Sequence, residues 1–260
     1  MLVPSGRRIS RLKGRVIRLI QPARSLLSRP LAGGMPVWTP DSVSMDAGTE
    51  RDVEIPWVAS AVTSCLGLWL DVGYAHAEPR YWEATGMRTW RRHLRYGYGL
   101  DLALPTGQDP LPAHIVGDVA TYDLRHLPRF DLITCISTLE HIGCDNTRYV
   151  AGSDRDTAPF KRQLQAFRQL LSALTRRGRL LITVPYGAFE DHGWFLQYDA
   201  ASVEQLSAVA EETGRPVRSQ CFYRLGPRAW DRAEPGQLSE CAYREAEWRA
   251  SAVALLEFGQ

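Results

Sequence analysis

Hydrophobic and polar positions alternate with two different periods along the chain. Residues 9–20, ISRLKGRVIRLI, place Ile9, Leu12, Val16, Leu19 and Ile20 at helical spacing with basic residues between, which predicts a surface-lying or partner-binding helix. The following stretch, QPARSLLSRPLAGGMPVWTPDS, holds four prolines and an adjacent glycine pair and reads as a loop. TERDVEIPWVASAV opens a helix capped by Thr49 with acids in its first turn, and Pro56 limits where that helix begins. From residue 66 strands and helices alternate. LGLWLDV, YGYGLDLA, AHIVGDV, FDLITCIST and RLLITVPYG read as five strands. The fourth is almost continuously apolar, as a strand covered on both faces should be. PRYWEATGM reads as helical. Residues 159–178 form the clearest helix, with Phe160, Leu164, Phe167, Leu170, Leu171 and Leu174 on one face and Gly178 closing it. A further helix runs from an Asp199 cap to a Gly214 stop. VRSQCFYRLG and SAVALLEF read as two last strands, joined by a polar loop carrying Trp230. This alternation predicts an α/β fold, a mostly parallel sheet with helices on both faces, whose ligands bind at the carboxyl ends of the strands.

Composition adds three things. The 260 residues, 45% hydrophobic and 23% charged, suit one globular domain with a full core. The net charge of +2 hides an asymmetry: eight of the 31 basic residues lie in residues 1–30, which hold no acid, leaving 23 basic against 29 acidic residues elsewhere. We therefore expect a basic, mobile arm over residues 1–45 and one folded domain over residues 46–260. Residues 7–29 are candidates for peripheral membrane or partner contact, while an acidic body argues against nucleic acid. No apolar run approaches the roughly 18 residues of a membrane span. The basic start is not followed by a secretory core and cleavage site. The five cysteines form no CxxC pair. They read as buried thiols of a cytoplasmic protein.

The stretch LWLDVGYAHAEP, residues 68–79, runs from a strand through a turn. A dinucleotide site needs GxGxxG at such a turn, because the pyrophosphate must meet bare backbone. Gly73, Ala75 and Glu78 occupy those places, and a glutamate there repels a pyrophosphate. S-adenosylmethionine carries a sulfonium and an amino-acid tail but no phosphate, so one glycine with small neighbours suffices. An acid at the first strand tip engages the ammonium, one at the second takes both ribose hydroxyls, and one at the third takes the adenine amine. Asp71, Asp101 and Asp118 stand in that order.

From about residue 50 to 258 the chain resembles class I S-adenosylmethionine-dependent methyltransferases. LDVGYAHAE resembles their first motif, YGLDL the ribose-binding strand end, and GDV the adenine-binding turn. FDLITCISTLEHIG resembles the fourth strand with its exit, and GRLLITVPYG the fifth strand. The segments STLEHIG and WFLQYD bring it closest to a bacterial subgroup associated with methylation of sugars, glycans and glycosylated natural products. The resemblance implies a Rossmann-like, mostly parallel seven-stranded sheet with S-adenosyl-L-methionine as cofactor. It implies cofactor contacts from Asp71, Gly73, Ala75, Asp101, Leu102, Asp118, Val119 and Ser137.

Methyl transfer needs alignment of the acceptor and often removal of its proton. His141, Glu140 and His192 follow the fourth and fifth strands and are the candidate catalytic groups. Tyr186, Trp194, Tyr198 and Trp230 are candidates to hold the acceptor. No metal is expected. A hydroxyl of a sugar-containing small molecule or glycan is the expected acceptor. The alternatives are an amino-sugar nitrogen and a cofactor-binding, non-catalytic partner protein.

Overall fold

The computed structural model describes residues 15–16, 38–65, 67–85, 97–105 and 111–260. In chain order the elements are β1 (Arg15–Val16), β2 (Ser42–Ser44), α1 (Arg51–Ser64), β3 (Trp69–Val72), α2 (Pro79–Ala84), β4 (Gly97–Asp101), β5 (Ala113–Val116) and β6 (Phe130–Ile136). They continue as α3 (Pro159–Ala173), β7 (Leu174–Pro185), β8 (Glu190–Asp191), β9 (Leu196–Gln197), α4 (Ala200–Glu212), β10 (Val217–Leu225), β11 (Ala229–Arg232) and β12 (Ala252–Gly259).

One ten-stranded sheet organises the molecule, in the order β1-β5-β4-β3-β6-β7-β12-β10-β11-β2. Its centre, β5-β4-β3-β6-β7, is parallel throughout. The chain winds outward from β3 to β5, then restarts on the other side of β3 with β6 and β7. The last strand, β12, inserts antiparallel between β7 and β10. The seven strands from β5 to β10 are the Rossmann-like sheet expected from sequence. Strands β1, β11 and β2 extend it.

Alternate residues serve opposite faces, as the period of a strand requires. Along β3, Trp69 joins the core under α1 and α2, while Leu70 and Val72 join the core under α3 and α4. Along β6, Leu132 and Ile136 share the first core, and Ile133 and Cys135 the second. Residues facing the first core between these apolar ones can be polar if paired. Thr134 accepts from Trp69 Nε1 at 2.8 Å and donates to Asp71 Oδ1 at 2.7 Å.

Several local readings are corrected. The cap of α1 falls at Glu50 rather than Thr49, and Pro56 lies inside the helix. Asp52 instead organises the helix entrance, accepting from the backbone nitrogens of Asp46, Ala47 and Gly48. The long helix stops at Ala173, and Gly178 lies within β7. There a Cβ would meet the Phe130 carbonyl oxygen at 2.6 Å, so the glycine serves close strand approach rather than a helix end. Asp199 does cap α4, accepting from Ser202 N, and Gly214 follows it at φ +66°. Of the helix read over residues 9–20, Arg15 and Val16 are instead extended and pair with Val116 and Ile115, and the rest lies outside the described residues. The boundary at residue 45 falls just past β2. This strand pairs with β11, covering its open edge, and the Tyr223 hydroxyl donates to the Pro40 carbonyl at 2.6 Å. All five cysteines are free, and four are buried. No helix among the described residues is long and apolar enough to cross a membrane.

Candidate functional site

Two cavities adjoin at the carboxyl ends of the central strands. The first, about 410 Å³, spreads over the tips of β3, β4, β5 and β6. Asp71, Gly73, Asp101, Leu102, Asp118, Val119 and Ser137 all line it. This is the switch point of the sheet, where the chain leaves β3 in both directions and opens a crevice.

The turn after β3 is built around Gly73. Its φ is +78°, and a Cβ there would lie 2.1 Å from Thr138 Oγ1. Its nitrogen donates to the Leu100 carbonyl at 2.9 Å, which ties the turn to β4. Two residues on, Ala75 N donates to Asp101 Oδ2 at 2.8 Å. Ala75 thus reaches the site by holding Asp101, and its side chain is not part of the cavity wall. Ala103 N donates to Asp101 Oδ1 at 3.3 Å. Burial pushes the Asp101 carboxyl above its usual range, against the backbone donors that lower it. Each of its oxygens has a second lone pair to offer a hydroxyl.

Asp71 is held more tightly. Its two oxygens accept from Thr134 Oγ1 and, at 2.9 Å, from the Tyr81 hydroxyl. Burial, with Asp71 beside it, pushes the Tyr81 hydroxyl well above its usual range, so that it stays a donor. Asp118 accepts from Ala120 N at 2.8 Å and pairs with Arg162 at 2.5 Å.

The second cavity, about 380 Å³, lies beyond the exit of β6. Arg51, Ser137, His141 and Tyr149 line both cavities and form the wall between them. Ser137 has φ +42°, a strained conformation for a residue with a side chain. It is over-determined: its nitrogen donates to Thr183 Oγ1 at 2.9 Å and its hydroxyl to Glu54 Oε1 at 2.7 Å. Arg51 Nη1 pairs with Glu54 Oε2 at 2.8 Å. Burial and Glu54 raise the neighbouring Glu50 carboxyl, while Arg51 lowers it.

His141 donates from Nδ1 to the Trp194 carbonyl at 2.8 Å, because a carbonyl can only accept. Nε2 therefore carries the lone pair of the neutral ring, 3.9 Å from Glu140 Oε1. Burial lowers the His141 pKa to about 4, assisted by the guanidinium groups of Arg51 and Arg148 and opposed by the Trp194 carbonyl. The ring is neutral near pH 7. Glu140 lines the second cavity, 3% exposed, and burial pushes its carboxyl well above the usual range.

The four residues expected to hold an acceptor divide. Trp194 lines the second cavity. Tyr186, Tyr198 and Trp230 do not: all three are buried core. Tyr198 donates to Gln163 Oε1 at 2.6 Å, Tyr186 packs on Phe222, and Trp230 lies mid-strand in β11, opposite Leu225 and Val43. Nor does His192 reach either cavity. Its ring stacks on Phe195 at 4.4 Å, with Nε2 against Glu190 Oε2 at 3.1 Å. It supports the back of the Phe195 wall. In place of these residues the chain supplies Arg51 and Glu50 from the start of α1, Arg148 and Tyr149 from the loop before α3, and Tyr243 and Trp248 from the loop before β12. The only sequence signal for Arg51 was its place among acids at a helix start. The others carried none.

Fold and site together define a Rossmann-like α/β domain with its crevice at the strand tips. No protein-family model and no curated protein sequence matches the chain. Among solved structures, it is similar to a 1,6-didemethyltoxoflavin N1-methyltransferase of Burkholderia thailandensis, with 12% identity over 77% of this chain and 74% of that one, at a TM-score of 0.45. The CcbJ methyltransferase of Streptomyces caelestis gives 12% identity over 85% and 92%, and TM-score 0.45. The N-methyltransferase NodS of Bradyrhizobium japonicum gives 13% over 80% and 86%, with the same score. The fold assignment rests on the strand order.

Proposed function

We propose that the chain is an S-adenosyl-L-methionine-dependent methyltransferase, with the cofactor in the first cavity and the acceptor in the second. The observation that carries this reading is the shared wall of Arg51, Ser137, His141 and Tyr149, which brings a reacting group on one side within reach of the other. The residues present fit the cofactor. Asp101 offers lone pairs to vicinal hydroxyls, Asp118 and Val119 an edge for a purine, and Asp71 and Arg51 opposite charges for an amino-acid end. Gly73 leaves a cradle that a Cβ would fill.

When bound, the cofactor supplies a methyl group activated by a sulfonium. The chain's contribution is placement. Trp194 offers a flat wall to a ring, and His141 Nε2 takes the hydrogen of the acceptor atom and receives its proton on transfer. The acceptor in this reading is a sugar-containing small molecule or glycan, methylated on a hydroxyl. The second reading is a nitrogen acceptor: burial, which lowers the His141 pKa to about 4, makes it a weak base for a hydroxyl, whereas an amine needs only to be neutral to attack. The reducing cytoplasm suits the five free thiols.

Asp101→Ala tests the cofactor assignment. Calorimetry should show S-adenosylhomocysteine binding weakened by about 1–3 kcal/mol, the cost of unpairing hydroxyls from a charged acceptor. Unchanged affinity would place the adenosine elsewhere.

A further inference from the structure

The rim of the second cavity is built by two tryptophans around one arginine. The Arg148 guanidinium carbon lies 4.4 Å from the Trp194 ring centre and 4.5 Å from that of Trp248. The two indoles stand 5.9 Å apart at 51°, so they form a corner rather than a sandwich. The corner covers one side of the guanidinium and leaves its planar fork of N–H donors open on the other. Trp248 is 58% exposed and has φ +52°, a strained conformation for an aromatic residue. Its indole is spent on Arg148 and Trp194. The chain thus pins, at a cavity mouth, a side chain that would otherwise swing freely in water.

Four charged side chains line the cavity, Glu50 and Glu140 against Arg51 and Arg148. Three of them are engaged or closed off. Arg51 pairs with Glu54 at 2.8 Å, Glu50 accepts from the Ala250 nitrogen at 3.4 Å, and Glu140 is buried. Arg148 is exposed, and among the described residues it meets neither a carboxylate nor a hydrogen-bond acceptor. A pinned guanidinium with its donors unspent matches a carboxylate, whose two oxygens take a parallel pair of N–H bonds. One guanidinium balances one negative charge, and the two acids on the same lining disfavour a dianion.

We propose that the second cavity anchors its acceptor by a carboxylate, held edge-on by Arg148 in the corner of Trp194 and Trp248. Arg148 lines the second cavity and not the first, so the carboxylate is a handle, and the atom that reacts lies further in, at the wall both cavities share. This rests on the methyltransferase reading and narrows its acceptor to an acidic class, such as a sugar acid.

Matched pairs test it: glucuronate against glucose, and benzoate against benzyl alcohol, titrated calorimetrically in low-salt buffer with and without S-adenosylhomocysteine. We expect each carboxylate to bind about tenfold tighter than its neutral counterpart. Arg148→Gln, a change at an exposed loop position, should erase that preference while leaving the melting temperature and S-adenosylhomocysteine affinity unchanged. Trp248→Leu, which opens one side of the corner, should reduce the preference severalfold. Equal binding within each pair overturns the proposal, as does a preference that survives in Arg148→Gln, or no carboxylate binding at millimolar concentration. Those outcomes leave the methyltransferase reading standing if S-adenosylhomocysteine still binds. Failure of S-adenosylhomocysteine to bind, with the carboxylate preference intact, overturns that reading instead.

Discussion

Gly73→Val is expected to abolish measurable S-adenosylhomocysteine binding and to destabilise the fold. The backbone at Gly73 has φ +78°, where a branched side chain is strained before any contact is considered. The new Cβ would then meet Thr138 Oγ1 at 2.1 Å and Cγ2 at 2.3 Å. Thr138 has little room to yield, because its hydroxyl donates to the Ile136 carbonyl at 2.8 Å. Strain and overpacking together should cost about 3–5 kcal/mol. Moving the turn also moves Ala75, and with it the backbone donor that holds Asp101. A loss of affinity of about 100-fold or more follows, some 2.7 kcal/mol. Gly214→Ala is the control. It has φ +66° but open space around its Cβ position, far from the strand tips. It should cost about 1 kcal/mol and leave binding intact. Equal behaviour of the two variants would show that the turn at Gly73 is not a built cradle.

Arg51→Met should destabilise the protein by about 3–5 kcal/mol, because it strands Glu54, whose side chain is fully buried. The deficit should depend on pH. The Glu50 and Glu140 pKa values are raised in the folded state, and Arg51 holds both down. Without it they rise further. Groups with raised folded pKa values contribute stability below their unfolded pKa and lose it as pH climbs through the folded one. The gap between wild type and variant should therefore be small in acid and widen towards neutral pH. Urea unfolding at about pH 5 and pH 8 reads this directly. Arg51→Met with Glu54→Leu should recover most of the loss, since the stranded charge is then gone. A small gap with no pH dependence would mean that Arg51 does not serve the carboxylates.

The strand tips were legible because a strand's period and its terminal acid are local. Asp71, Asp101 and Asp118 each end an apolar run, and parallel topology brings such ends together wherever the runs lie in sequence. The acceptor side was not local. His192 and Trp194 are two residues apart, yet one braces a wall from behind and the other lines it. Tyr198 and Trp230 are candidates to hold an acceptor in sequence because tyrosine and tryptophan suit sugar rings, but the same residues suit cores. Only the pairing of β11 with β2 and the reach of Gln163 decided between them. Arg51 and Trp248 come from opposite ends of the domain and meet at one cavity. Gly178 shows the same limit in the backbone, where a glycine after an amphipathic run marked a strand crossing rather than a helix end.

In the proposed reading, the crevice formed by Gly73, Asp71, Asp101 and Asp118 takes S-adenosyl-L-methionine and not a dinucleotide. Calorimetric titration of the full chain with S-adenosylhomocysteine and, separately, with NAD tests it most directly. Saturable, one-to-one binding of S-adenosylhomocysteine and no heat with NAD are expected. Binding of NAD with no response to S-adenosylhomocysteine would contradict it.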